Sequence, residues 1–224
     1  MTPELFDAIT VHIAQEAPRE ACGVLVWDGL NNSTYRPCRN ISEGTEHFQI
    51  HPEDWVAAED AGTVLGIVHS HPGGTTQPSD LDVRGCDRSG LPWWIFTDEG
   101  VWQRITPAGW SVVGHPFAWG IQDCYTLARD IYRGLPDFQR FPGFWESTDL
   151  FTTGLKFAGF EEFEGDPTPG DALLMSIRGN GVPNHCAVYM GGGKIVHHLP
   201  GRLSREEELG PLVRAVVRKV RRKP

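Results

Sequence analysis

Nowhere in these 224 residues is there an apolar run long enough to cross a bilayer, so a membrane-spanning helix is not expected. Cysteine is scarce: Cys22, Cys38, Cys86, Cys124 and Cys186 are an odd number with no CxxC spacing, which argues against a disulfide framework and against a zinc ribbon. Cys22, Cys86 and Cys186 stand among apolar neighbours and are expected to pack. Basic residues are few in the first half: residues 1–113 carry 6 Lys and Arg against 16 Asp and Glu, whereas 114–224 carry 14 against 13. An acidic first half speaks against a nucleic-acid partner. Internal repeats and low-complexity tracts are missing. The start also lacks the make-up of a secretory signal; Thr2-Pro3-Glu4-Leu5 reads instead as a capped helix start with Leu5, Ile9 and Ile13 as its apolar face, and the chain is expected to stay in the cytoplasm.

What is present describes globular structure, with 40% hydrophobic residues, 22% charged residues and eight tryptophans. The length suggests two domains of about 110 residues each. Periodicity predicts helices over 3–16, 52–61 and 79–88, and strands over 22–27, 33–39, 64–71, 93–96 and 101–104. Gly114, His115 and Pro116 end this region, placing the expected boundary between 1–113 and 114–224. The second half predicts a helix from Asp123, another near Ser147 to Ala158, and a C-terminal sheet. Helices and strands mix without a βαβ repeat, so the expected class is α+β, or α/β in the broad sense. Tryptophans 93, 94, 102, 110, 119 and 145 either line a groove or fill a core. The basic run Arg214, Arg218, Lys219, Arg221, Arg222 and Lys223 is expected to be a solvated, partly frayed tail, or else a contact for an anionic glycan or membrane surface.

The densest chemistry is His69-Ser70-His71-Pro72, followed by Ser79 and Asp82. Two histidines at i and i+2 of a strand face the same side, so both imidazoles can meet one ion. The Pro72, Gly73, Gly74 and Pro78 turn carries the chain back, and Asp82 at a helix start offers a carboxylate as the third ligand. Two nitrogens and one oxygen are a ligand set of hydrolytic zinc centres. Ser79-x-x-Asp82 also has the spacing of a helix capping box, whose role is structural.

These residues resemble the JAMM (MPN-plus) metallopeptidase signature. That family also uses an upstream glutamate, and Pro18-Arg19-Glu20-Ala21-Cys22-Gly23-Val24-Leu25 looks like its surroundings. The resemblance implies one zinc ion on His69, His71 and Asp82. It implies Glu20 as the general base that takes a proton from the attacking water and passes it to the leaving amine, and Ser79 as a donor to the oxyanion.

In the second half, apolar residues at 124, 127, 128 and 131 have helical spacing. Cys124 at the helix start is either a core cysteine or a nucleophile whose thiol the helix N-terminus acidifies. Further on, segments 184–190 and 194–199 flank Gly191-Gly192-Gly193, a hairpin signal. If Met190 opposes Lys194, then Ala187 opposes His197, His185 shares the face of His197, and His198 points the other way. Two neighbouring histidines suit a base and its orienter beside a cysteine.

Asp123-Cys124, Pro169-Gly170-Asp171 with Ala172 to Met175, and His185 with His197 resemble the NlpC-type cell-wall cysteine peptidases, a papain-like α+β group. That resemblance implies Cys124 as nucleophile, His185 as general base and His197 as the polar third residue, with His198 as the alternative. A JAMM half followed by an NlpC half, ending in the run His197 to Ser204, is similar to the lambda-type phage tail-tip assembly family. That likeness implies a tail-tip role in the host cytoplasm during assembly and at the virion tail tip. It implies peptidoglycan stem peptides as substrate, and tail-tip proteins, including a ubiquitin-like tail assembly protein, as partners. Two other readings stay open: both folds serve as non-catalytic docking modules, or the JAMM half processes a tail protein.

Overall fold

The computed structural model describes residues 1–141, 143–144, 155–156 and 158–223, which form two compact units, Met1–Trp110 and Ser111–Pro224. The helix expected near Ser147 to Ala158 and Trp145 lie almost wholly outside the described residues.

The first unit is a five-stranded sheet in the order β2-β1-β3-β4-β5, with β1 Cys22–Trp27, β2 Ser33–Cys38, β3 Thr63–His71, β4 Trp93–Thr97 and β5 Trp102–Ile105. β3 and β4 run parallel, and α3, Asp80–Ser89, makes the crossover between them; the other pairs are antiparallel. β1 and β3 are almost continuously buried because helices or loops cover both faces, whereas β2, at the edge, has alternating exposure over most of its length. Helix α1, Pro3–Glu16, starts as its sequence dictates: Thr2 Oγ1 accepts the Leu5 N–H, Pro3 occupies the first turn, and Leu5, Ile9 and Ile13 are buried. Helix α2, Pro52–Ala61, packs on the same sheet. Gly23 has to be glycine for room, because a Cβ there would sit 2.5 Å from the Tyr35 ring and 2.6 Å from the Arg36 carbonyl oxygen.

The second unit is a six-stranded antiparallel sheet ordered β10-β9-β8-β7-β11-β6. Its strands are β6 Phe160–Glu162, β7 Ala172–Met175, β8 His185–Gly191, β9 Lys194–His197, β10 Arg205–Glu208 and β11 Val216–Arg222. Helix α4, Cys124–Tyr132, packs on β8, and its Cys124, Tyr125 and Ala128 share a core with Leu174, Cys186 and Val220. All five cysteines are free and buried.

Two sequence expectations are corrected. The basic tail is not frayed: it forms β11, inserted between β7 and β6, and its charges are partnered, Arg218 with Glu162, Arg221 with Asp171 and Lys223 with Glu161. The β8–β9 loop has two residues, not three, since Gly191 rather than Met190 faces Lys194. Gly192 and Gly193 take φ of 60° and 80°, the left-handed values that a two-residue primed turn requires. The residue gained by the strand is absorbed as a bulge at Met190, so Ala187 still opposes His197. Among the described residues no helix is long and apolar enough to cross a membrane.

Candidate functional site

In the first unit, His69 and His71 close β3 and Asp82 lies in the first turn of α3. The three side chains converge: His69 Nε2 lies 3.1 Å from His71 Nε2 and 3.1 Å from Asp82 Oδ1, and His71 Nε2 lies 3.3 Å from Asp82 Oδ2. His71 Nδ1 is 2.8 Å from the Thr75 carbonyl, which fixes its proton there and leaves Nε2 with a lone pair. That lone pair faces a second imidazole nitrogen and a carboxylate, an arrangement that a cation relieves. The donor set therefore fits a metal ion, and all three ligand atoms lie within 4.8 Å of one another. Phe48 stacks on the His69 ring at 4.7 Å and Trp93 meets it edge-on at 5.5 Å, so the imidazole is held in an apolar slot.

The capping box is present too. Ser79 Oγ accepts the Asp82 N–H at 3.1 Å, and Asp82 Oδ2 accepts the Ser79 N–H at 2.7 Å. One carboxylate thus caps the helix and faces both histidines, so the structural and the ligand readings of Ser79-x-x-Asp82 hold together. Burial pushes the Asp82 carboxyl up, but the adjoining His69 and His71 imidazoles and the Ser79 N–H outweigh this and hold it well below the usual carboxylate range.

Glu20 is 7% exposed and opens, with His71, Ser79 and Asp82, onto a cleft of about 810 Å³. Burial pushes its carboxyl up to about 7, against the pull of His71. Two residues to which the sequence reading gives no role hold this segment. Ser70, between the histidines, accepts the Ala21 N–H on its Oγ at 2.9 Å and donates its own N–H to the Ala21 carbonyl at 3.0 Å. Asn40 donates through Nδ2 to the Glu20 carbonyl at 2.9 Å.

In the second unit, Asp123 is the N-cap of α4 and Cys124 its first residue. Cys124, His185 and Asn184 line a cleft of about 130 Å³ with Phe117, Trp119 and Leu199. The Cys186 thiol, and then His185, hold the Cys124 thiol well below the ordinary thiol range, against burial and the Asp123 carboxylate. The Cys186 Sγ also lies 3.2 Å from the Cys124 carbonyl, a second acceptor for its one proton. It is therefore more than the packing residue its apolar neighbours suggest.

His185 Nε2 lies 2.9 Å from His197 Nδ1, and His197 Nε2 lies 2.7 Å from Glu207 Oε1. Glu207, on β10, is unmarked in the sequence; its only signal there is a place in the acidic run 206–208. Its carboxylate accepts only, so the His197 proton sits on Nε2 and Nδ1 accepts from His185 Nε2–H. The lone pair of His185 is then on Nδ1, the nitrogen left for Cys124. Burial, then His185, pushes His197 down to about 4, which keeps it neutral at physiological pH. His198 is not in this file: it packs edge-on to Phe117 at 5.1 Å.

Residues 2–108 match the family model of prokaryotic homologs of the JAB domain, and residues 114–222 match that of the NlpC/P60 family. The chain is 41% identical over 221 residues to tail tip assembly protein K of Escherichia phage N15, covering 94% of this chain and 90% of that one. Protein K of Escherichia phage lambda is 39% identical over 163 residues, 70% of this chain and 80% of that one. Among solved structures, an NlpC/P60 family protein from Bacillus cereus aligns at 14% identity with a TM-score of 0.37, over 95% of this chain and 66% of that one.

Proposed function

The chain belongs to the family of tail tip assembly protein K, and on that footing we propose that it is a tail-tip component with two hydrolytic sites, a thiol peptidase in its second half and a metal-dependent peptidase in its first. The observation that carries the reading is that Cys124 and His185 line one cleft while His185, His197 and Glu207 are joined in order by hydrogen bonds, a nucleophile beside a base and two orienting groups. The Cys124 thiolate attacks the amide carbon, and the start of α4 favours the negative charge. His185 gives its acquired proton to the leaving amine, which breaks the C–N bond and leaves a thioester. His185 then takes a proton from water as that water attacks, and the thiolate is regenerated. The substrate in this reading is a peptidoglycan stem peptide.

In the first half, His69, His71 and Asp82 would hold one ion, zinc in this reading, which supplies Lewis acidity. Glu20 accepts a proton from the attacking water and delivers it to the leaving nitrogen; its raised affinity for protons near neutral pH suits both steps. The Ser79 oxygen already accepts from Asp82, so its hydroxyl proton is left to donate to an oxyanion in the cleft. The amide cut here is a peptide or isopeptide bond of a tail protein. Its partners are other tail proteins, a ubiquitin-like assembly protein among them, met in the host cytoplasm during assembly and at the tail tip afterwards.

The narrowness of the Cys124 cleft favours one competing reading, in which the second half docks without turnover. Mass spectrometry of peptidoglycan fragments incubated with the wild type, Cys124→Ala and Glu20→Ala decides. New stem-peptide products from wild type and Glu20→Ala, but none from Cys124→Ala, support the wall peptidase; no products from folded, metal-loaded wild type support docking.

A further inference from the structure

Arg140 is a fully buried cation that the cysteine-peptidase chemistry does not call for, 1% exposed in the segment after α4. Its guanidinium donates to Asp123 Oδ2 at 2.9 Å and Oδ1 at 3.3 Å, to Thr126 Oγ1 at 2.8 Å, to the Gly120 carbonyl at 3.2 Å and to Asp137 Oδ1 at 2.9 Å. It also lies over the Tyr125 ring, 4.9 Å from the centroid. Every one of these partners flanks Cys124 in sequence or anchors the arginine itself.

Asp123 carries the consequence. Its carboxylate accepts the Thr126 N–H at 2.8 Å, the Thr126 hydroxyl at 3.0 Å and the Gly120 N–H at 3.0 Å, so it caps the helix and ties down the preceding turn. It is also a buried negative charge one residue from the thiol, and it opposes thiolate formation. Among the described residues, the other charged or titratable groups around the thiol are His185 and Cys186 from β8 and Arg178, which lines the same cleft, with His198 near Asp123. Arg140, anchored by Asp137, provides the cation on the Asp123 carboxylate.

We propose that Arg140 is a positioning residue for Cys124: it locks the Asp123 cap onto the helix start and cancels that carboxylate's charge beside the thiol, so that the thiolate persists at neutral pH. The proposal rests on the reading of Cys124 as nucleophile, and its test does not require turnover.

In the full-length protein, the rate of Cys124 alkylation by iodoacetamide is followed by peptide mass spectrometry from about pH 4 to pH 10. Arg140→Gln raises the midpoint by about one unit or more, which is roughly tenfold slower alkylation below it. Arg140→Lys stays near wild type, Asp123→Asn lowers the midpoint, and Asp123→Asn with Arg140→Gln returns it toward wild type. A wild-type midpoint in folded Arg140→Gln, or a double variant as high as Arg140→Gln, overturns the proposal. Should Arg140→Gln not fold, a wild-type midpoint in Arg140→Lys together with a lowered one in Asp123→Asn supports it, and a raised midpoint in the first or an unchanged one in the second overturns it. A wild type that alkylates at low pH but releases no peptide products refutes the peptidase reading alone and leaves the role of Arg140 standing.

Discussion

His185 and His197 meet Nε2 to Nδ1 at 2.9 Å although they are not opposite one another: Ala187 faces His197, and His185 reaches it diagonally from two residues earlier in β8. Diagonal neighbours on one sheet face lie within reach of long or aromatic side chains. The contact therefore depends on the pairing register, and a one-residue slip would turn one ring to the other face. A primed two-glycine turn and the bulge at Met190 together set that register.

The first prediction concerns Glu207. Glu207→Ala leaves the His197 Nε2–H without its acceptor and frees the imidazole to take the other tautomer, so hydrolysis of a stem peptide should fall by about one to two orders of magnitude. Glu207→Gln keeps a carbonyl acceptor and should retain most of the rate. Steady-state kinetics on the purified variants measures both; equal losses would mean that charge, not tautomer, is what Glu207 supplies.

Ser79 and Asp82 are separable. Ser79→Ala removes the acceptor for the Asp82 N–H and should cost about 1 kcal/mol of stability while one divalent ion per chain is still retained. Asp82→Ala loses the other half of the box and a ligand, so bound metal falls as well. Elemental analysis after dialysis, paired with thermal melts, distinguishes the two. With the ion at a hundredfold excess over its dissociation constant, stripping it with a chelator should remove about 2.7 kcal/mol from the wild type and almost nothing from Asp82→Ala.

Ser70→Ala tests whether the middle residue of the histidine pair positions Glu20. The Ala21 N–H is left buried without its acceptor, a loss of about 1 to 3 kcal/mol, while all three metal ligands remain. The expected outcome is a lower melting temperature, undiminished metal content and slower metal-dependent cleavage. A variant that loses metal instead would place the role of Ser70 in the ligand strand.

Acid stability should follow Asp123. Burial pushes its carboxyl up, but the Arg140 guanidinium outweighs this and holds it at about 2 in the fold against an ordinary value of 3.8. The folded state then binds fewer protons than the unfolded one between these values. The stabilisation is fully present above about pH 4 and is lost as the pH falls toward 2. Asp137, also held low by Arg129 and Arg140 against burial, adds in the same direction. Near-ultraviolet circular dichroism of the second half, melted at successive pH values, should show the decline, and Asp123→Asn should flatten part of it.

Much of this molecule is written in short stretches of chain. The helix over 3–16 and the strand over 22–27 follow from a Thr-Pro start and from an apolar run, and the structure has both at those bounds. The convergence of His69 and His71 follows from the two-residue period of a strand, and the start of α3 from Ser79 and Asp82, because spacing along one element is a local property. By itself, then, the sequence determined the element types of the first half, the candidate ligand triplet and the candidate nucleophile at a helix start. Ser70 on Ala21, Glu207 on His197 and Arg140 on Asp123 are of another kind, since each joins residues 10 to 49 positions apart through a hydrogen bond across strands or out of a loop. No periodicity encodes such a bond. Tertiary structure alone decided it, because which donor meets which acceptor is settled only when the sheet register and the packing of α4 bring distant backbone together. The tail shows the same division: the charges of residues 214–223 spell a solvated run, yet β11 lies inside the sheet, since a bulge after Val216 lets Val220 pack with Ala172 and Leu174 on one face and Val216 with Leu173 and Met175 on the other, and acidic partners on β6 and just before β7 meet its cations.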